Sequence, residues 1–288
     1  MRRYAALPRI TGYVITGALL GPQAFGLLSE DLLFDLRLLV DLSTGLIMFE
    51  LGLCLDFSWL RRNKWLFFTA IAESLTCFAA VYGTLMYFSF KPVLAAMVAA
   101  IGTATSPAVV MLVAQDLRAE GQITERMLLL TAVNSVFAYV ALTLLLPFLH
   151  FEHAASWPQA LLHPVYLLCG SALLAGAACL ALLWFAAWLG KREHLQFVLM
   201  VAMVVTTIGA ANSLRLSVPL ALVTMGALAR NLDYRHALLT VRLGHSGQLF
   251  FVILFVLTGA GLEFSALGAA AAVIVVAFII VRFLAKAV

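Results

Sequence analysis

The sequence predicts an all-α polytopic membrane protein of about ten transmembrane helices, two of them discontinuous and related as inverted repeats. Three observations carry that reading. Runs of about 20 apolar residues, the length at which a helix crosses the hydrocarbon of a bilayer, recur along all 288 residues. The composition is 64% hydrophobic and 11% charged, with a mean hydropathy of +1.05, more apolar surface than a soluble core requires. A β-barrel would show short alternating strands instead, and none are present. The third observation is where the basic residues lie.

Ten apolar segments can be read, at 8–28, 38–57, 65–89, 92–115, 126–149, 160–189, 195–213, 217–230, 245–263 and 266–287. With the N-terminus in the cytoplasm, fifteen of the eighteen Lys and Arg residues fall on inner loops and ends, and only Arg37, Lys91 and Arg215 fall outside. That bias is the positive-inside rule, and it fits an even number of spans with both termini cytoplasmic. It also removes the nucleic-acid reading that a formal charge of +4 invites, because the charges sit singly or in pairs at span ends. Met1-Arg-Arg-Tyr4 runs into the first span without a small-residue cleavage site, so no cleavable signal is expected. Cys54, Cys77, Cys169 and Cys179 lie inside apolar runs without metal-ligand spacing and read as packing residues. His150, Glu152 and His153 lack a third well-spaced ligand and read as a solvated loop.

In chain order, the first segment carries Gly12, Gly17, Gly21 and Gly26, a density of small residues that lets helices approach closely. The second holds Phe49-Glu-Leu-Gly-Leu-Cys-Leu-Asp56, with Asp56 at the membrane surface and Glu50 about two turns deeper, near-interfacial or buried. The third holds Glu73, eight residues beyond Trp65 and so roughly 12 Å into the bilayer. An ionised carboxylate there costs at least about 2.5 kcal/mol, which makes Glu73 a candidate site; the alternative is a protonated carboxyl bonded to a neighbouring helix.

The fourth segment contains Gly102-Thr-Ala-Thr-Ser-Pro107. Pro107 lacks a backbone donor and clashes with the preceding turn, so the helix should break. Broken backbone at membrane depth is tolerated where protein, water or an ion satisfies it, and Thr103, Thr105 and Ser106 put three hydroxyls beside the break. In the fifth segment Asn134 and Ser135 lie at a similar depth; as plain helix–helix hydrogen bonds they would contribute about 0.6 kcal/mol each. The ninth segment has a second interruption at Thr258, Gly259 and Gly261. It follows the first by five segments, an odd number, so the two would run in opposite senses, as in transporters built from inverted repeats.

Four stretches together resemble the monovalent cation:proton antiporter family, in the branch of sodium/proton exchangers and potassium-efflux antiporters. They are Pro8-Arg-Ile-Thr-Gly-Tyr-Val-Ile-Thr-Gly-Ala-Leu-Leu-Gly-Pro22, Phe49-x-x-Gly-Leu-x-Leu-Asp56, Ala104-Thr-Ser-Pro-Ala-Val-Val110 and Leu249-Phe-Phe-Val-Ile-Leu-Phe-Val-Leu-Thr-Gly259, in the family's order over nearly the whole chain. The resemblance implies two crossing broken helices in a domain that moves against a second, dimer-forming domain. It places the ion site at Thr105 and Ser106, the polar pair of the fifth segment, and the third segment. In the family that pair usually ends in an aspartate at which cation and proton compete; here Ser135 stands in that position. We expect Glu73 to supply the missing carboxylate, with Glu50 next in line. Arg282 resembles a basic residue the family often places in that span, where it balances a buried acid or, as the sequence favours, snorkels to the inner surface.

The resemblance also implies that residues 1–288 form a single transmembrane transporter domain lacking the family's usual first span and C-terminal end. The expected activity is exchange of a monovalent cation, Na⁺ or K⁺, for protons by a homodimer in a bacterial-type inner membrane, with no cofactor, no nucleic-acid partner and no enzymatic chemistry. Two other readings stay open: a transport-incompetent scaffold or regulatory subunit, and a carrier of a small organic ion on the same architecture.

Overall fold

The computed structural model describes residues 9–117, 119, 121–151, 157–190, 192–233, 244–262 and 269–286. All regular structure among them is helical: α1 (Arg9–Leu20), α2 (Glu30–Asp35), α3 (Arg37–Leu53), α4 (Phe57–Arg62), α5 (Lys64–Tyr87), α6 (Pro92–Thr103), α7 (Pro107–Leu117), α8 (Gln122–Phe151), α9 (Trp157–Leu189), α10 (Glu193–Ser213), α11 (Val218–Leu232), α12 (Gly244–Ala260) and α13 (Ala269–Lys286). Each of the ten predicted segments has its helix, with α6 and α7 sharing the fourth. The short α2 and α4 are additions. Segment 8–28 is helical only to Leu20, because the Gly21-Pro22 pair starts a turn that closes at Gly26 with φ +64°. Among the described residues, five stretches are long and apolar enough to cross a membrane, at 64–87, 92–114, 122–145, 162–189 and 194–213, and shorter apolar helices lie at 9–20, 218–232 and 249–260. The protein is therefore multi-pass.

The helices pack as two groups. In the first, α5 lies against α6, α8 and α13, and α8 against α6 and α7; in the second, α11 joins α3, α9 and α10, and α12 joins α1 and α3. Cys77, Val81, Leu85, Ala95, Ala99 and Ala285 form a small apolar cluster inside the first group. A larger cluster fills the second and takes in the inner faces of α7 and α8, through Ala108, Met111, Leu112 and Ala132.

Glycines set the closest contacts. A Cβ on Gly226 of α11 would overlap the Phe49 carbonyl of α3, and one on Gly52 would overlap the Val223 carbonyl in return. The same arrangement joins α1 to α12, where Gly17 faces the Val256 carbonyl and Gly259 the Val14 carbonyl. Close backbone approach is what small residues supply in lipid, where apolar side chains gain little by leaving their solvent.

This packing corrects one expectation. Thr258 and Gly259 lie within the last turn of α12, which runs unbroken to Ala260, and Gly261 is in the turn that follows. Gly259 serves contact with α1 and does not interrupt the helix. The repeat survives in another pairing: α1 meets α12 as α11 meets α3, while α5 and α13 lie against each other. The pairing equates the first three segments with the last three, seven apart. Seven is also odd, so the two sets run in opposite senses.

Candidate functional site

The fourth segment breaks where Pro107 requires. α6 ends at Thr103, Ala104 is extended with φ −63° and ψ 132°, and α7 begins at Pro107, a position where a missing N–H costs nothing. Such a break leaves carbonyls of α6 without intrahelical partners, at the negative end of its dipole. Arg282 of α13 answers both needs: its guanidinium donates from Nε to the Gly102 carbonyl at 2.7 Å and from a terminal nitrogen to the Ala104 carbonyl at 2.8 Å. The snorkelling expected of Arg282 is thus replaced by a cap on the break. Ser135 donates to the Thr105 carbonyl at 3.2 Å, and Thr103 turns back to the Ala100 carbonyl of its own helix.

Beside the break, α5, α8 and α13 bring a carboxylate, an amide and an ammonium together. Lys286 Nζ lies 2.9 Å from Glu73 Oε1 and donates to Thr105 Oγ1 at 3.0 Å. Asn134 Nδ2 donates to the same Glu73 oxygen at 3.1 Å. Behind it Ser74, fully buried, donates to Asn134 Oδ1 at 2.9 Å. The Glu73 and Lys286 side chains retain 19% and 17% of their exposure, so the pair is partly desolvated yet open to an arriving ion. By the rise of a helix Glu73 is about 13 Å from the start of α5.

Of the residues singled out from sequence, Glu73, Thr105, Asn134 and Ser135 converge here. Thr103 is buried alongside but bonds within α6. Ser106 is exposed and accepts from the Val109 N–H at 3.4 Å, in the manner of an N-cap for α7. Glu50 is buried in α3 and is not brought to this cluster by any of the hydrogen bonds described above. Two residues of the cluster went unread in the sequence. Lys286 counts there only as a span-end charge; the signal that finds it is its spacing of four from Arg282, which puts both on one face of α13. Ser74 gave no signal apart from adjacency to Glu73.

The cluster offers a cation the Glu73 carboxylate, the Thr105 hydroxyl and the carbonyls of the break, a set of hard oxygens suited to a small ion. It offers a proton the same carboxylate. Helices repeated in opposite senses, one broken at mid-membrane beside a single partly buried acid, define a secondary transporter for a small cation. All 288 residues, 1–288, match the model of the family described as sodium/hydrogen exchanger, transmembrane. The chain belongs to that family, and it is a cation:proton secondary transporter. No curated protein matches it by sequence. Among solved structures it is similar to the sodium proton antiporter MjNhaP1 from Methanocaldococcus jannaschii, at 16% identity and a TM-score of 0.71, over 99% of this chain and 72% of that one. At that identity the likeness is one of fold.

Proposed function

We propose that Glu73 is the carboxylate at which a monovalent cation and a proton compete, and that this competition couples the exchange. The observation that supports it is the Glu73–Lys286 pair set against the broken helix, with Thr105 shared between them. A charged carboxylate is costly to carry across the membrane, whereas one neutralised by a proton or by a cation is not. Lys286 holds the empty site in balance and gives way when a cation arrives. The first helix group carries the site and rocks against the second, so that Glu73 faces each side in turn. The transported ion is Na⁺ or K⁺ and no resident cofactor is needed. The working unit is a homodimer in a bacterial-type inner membrane, both described ends cytoplasmic as the basic residues suggest.

The test is cation-driven proton movement in proteoliposomes holding a pH gradient, with Na⁺, K⁺ or Li⁺ added in turn. Wild type should dissipate the gradient and Glu73→Gln should not. Full exchange by Glu73→Gln would discard the assignment. A second reading has its own support: Arg282 and Lys286 already neutralise the break that a cation would occupy, as a transport-incompetent scaffold would have it. Folded wild-type protein that dissipates nothing with any of the three cations would favour that reading.

A further inference from the structure

Ser74 and Asn134 form a buried chain behind Glu73 whose chemistry differs from that of a fixed positioning contact. Ser74 is 0% and Asn134 2% exposed, so both lie away from bulk solvent and bond to each other. The amide has two unlike ends, Oδ1 that only accepts and Nδ2 that only donates. An ionised Glu73 only accepts, and therefore selects Nδ2, as observed at 3.1 Å. That choice leaves Oδ1 facing Ser74, which donates to it at 2.9 Å. A protonated Glu73 carries an O–H, and the favourable partner for that proton is Oδ1. The far end of the amide would then be Nδ2, and the group facing it must accept. A serine hydroxyl does both, donating or accepting by rotation of one hydrogen.

Resting on the assignment of Glu73 as the exchange carboxylate, we propose that Asn134 and Ser74 form a proton-coupled amide switch. The Asn134 side chain turns end for end when Glu73 exchanges its cation for a proton, and Ser74 satisfies the amide's far end in both orientations. The proton stays on Glu73 and is donated to Asn134 Oδ1; no bond is made or broken elsewhere. In both states the carboxyl keeps its bond to Asn134 and the amide keeps its bond to Ser74, which is what a site that spends part of every cycle in each state requires. The charged and titratable groups of the elements packed around the switch are Glu73 and Cys77 on α5, Arg282 and Lys286 on α13, Tyr139 on α8 itself, Glu50 on α3, Cys179 on α9 and Arg230 on α11; α6 and the break after it bring hydroxyls and carbonyls.

Removing the hydroxyl tells the two states apart. In Ser74→Ala the ionised state leaves an unpaired carbonyl oxygen, whereas the protonated state leaves an unpaired NH₂. Buried N–H groups tolerate that less well than carbonyls, so the protonated state suffers more. The experiment is the pH profile of cation-driven proton exchange in proteoliposomes, with whichever of Na⁺, K⁺ or Li⁺ wild type moves, for wild type, Ser74→Ala, Ser74→Thr, Ser74→Cys and Glu73→Gln. The acid-side midpoint should fall by roughly half to one pH unit in Ser74→Ala, the difference between an unpaired buried N–H and an unpaired buried carbonyl. It should stay in place in Ser74→Thr, which keeps the hydroxyl, and move partway in Ser74→Cys, a weaker partner of similar size. That last variant carries the test if Ser74→Ala does not fold. A uniform loss of rate with the midpoint unmoved in both Ala and Cys variants would overturn the switch while leaving Glu73 in its role, provided Glu73→Gln is inactive. An active Glu73→Gln would instead remove the reading on which the switch rests.

Discussion

Lys286 is the residue on which the behaviour of the site turns. Its ammonium holds one Glu73 oxygen at 2.9 Å and the Thr105 hydroxyl at 3.0 Å, two of the oxygens a transported cation would use. A cation must therefore displace it. In Lys286→Met, which keeps the length and apolar stem of the side chain, the carboxylate is undivided, and the apparent KM for the cation in exchange assays should fall by about tenfold, equivalent to about 1.4 kcal/mol. An unchanged KM would mean that the ammonium withdraws before the cation arrives. Sequence reasoning reached Glu73 because an acid eight residues inside a span has few innocent explanations. It did not reach Lys286, because a lysine at the end of a basic span already has one: the positive-inside rule absorbs it. Only the partner 213 positions away in the chain distinguishes the two roles.

At the scale of elements, the fourth segment is held together by a helix remote in sequence. The carbonyls freed where α6 stops are bonded by Arg282 of α13, so the broken helix and the last helix depend on each other. Replacing Arg282 by Gln should cost about 3 kcal/mol, the range for charge-assisted bonds to partly buried acceptors. Arg282→Lys should recover only part of it, since an ammonium cannot reproduce the two-pronged contact. Thermal unfolding in detergent, followed by tryptophan fluorescence, measures both. Glycines supply a second contrast. Gly226→Ala drives a methyl into the Phe49 carbonyl and should destabilise by about 3 kcal/mol, the upper end for overpacking because backbone yields less than side chain. Gly83→Ala meets nothing within 4 Å on an exposed face of α5 and should stabilise by up to about 1 kcal/mol, the helix-propensity difference. The same contrast explains the misread second interruption. Gly259 and Gly52 look alike in sequence, and a glycine that bends a helix cannot be told from one that admits a neighbour until the neighbour is placed. The break at Pro107 was legible because proline removes a donor whatever surrounds it.

Across the whole molecule, the ten segments were legible because membrane length and apolar content are properties of single spans. The membership of the two groups was not, because it depends on which spans meet. That division makes a claim about movement. The site sits in the group of α5, α6, α7, α8 and α13, and α3 faces it from the other group, where Tyr139 Oη of α8 donates to Met48 Sδ of α3 at 3.2 Å. If exchange proceeds by rocking one group against the other, this contact must shear in every cycle. In a background with Cys54, Cys77, Cys169 and Cys179 replaced, cysteines at Met48 and Tyr139 joined by a short bifunctional thiol reagent should stop exchange without lowering the unfolding temperature, since the link follows a contact already present. Each single cysteine treated alike should keep its activity, and a longer, flexible linker should restore turnover in proportion to its reach. Exchange that continues at the wild-type rate under the short link would place the moving boundary elsewhere. The first alternative would then be motion confined to α13, the helix that carries both Arg282 and Lys286 and packs chiefly on α5 while bonding the end of α6.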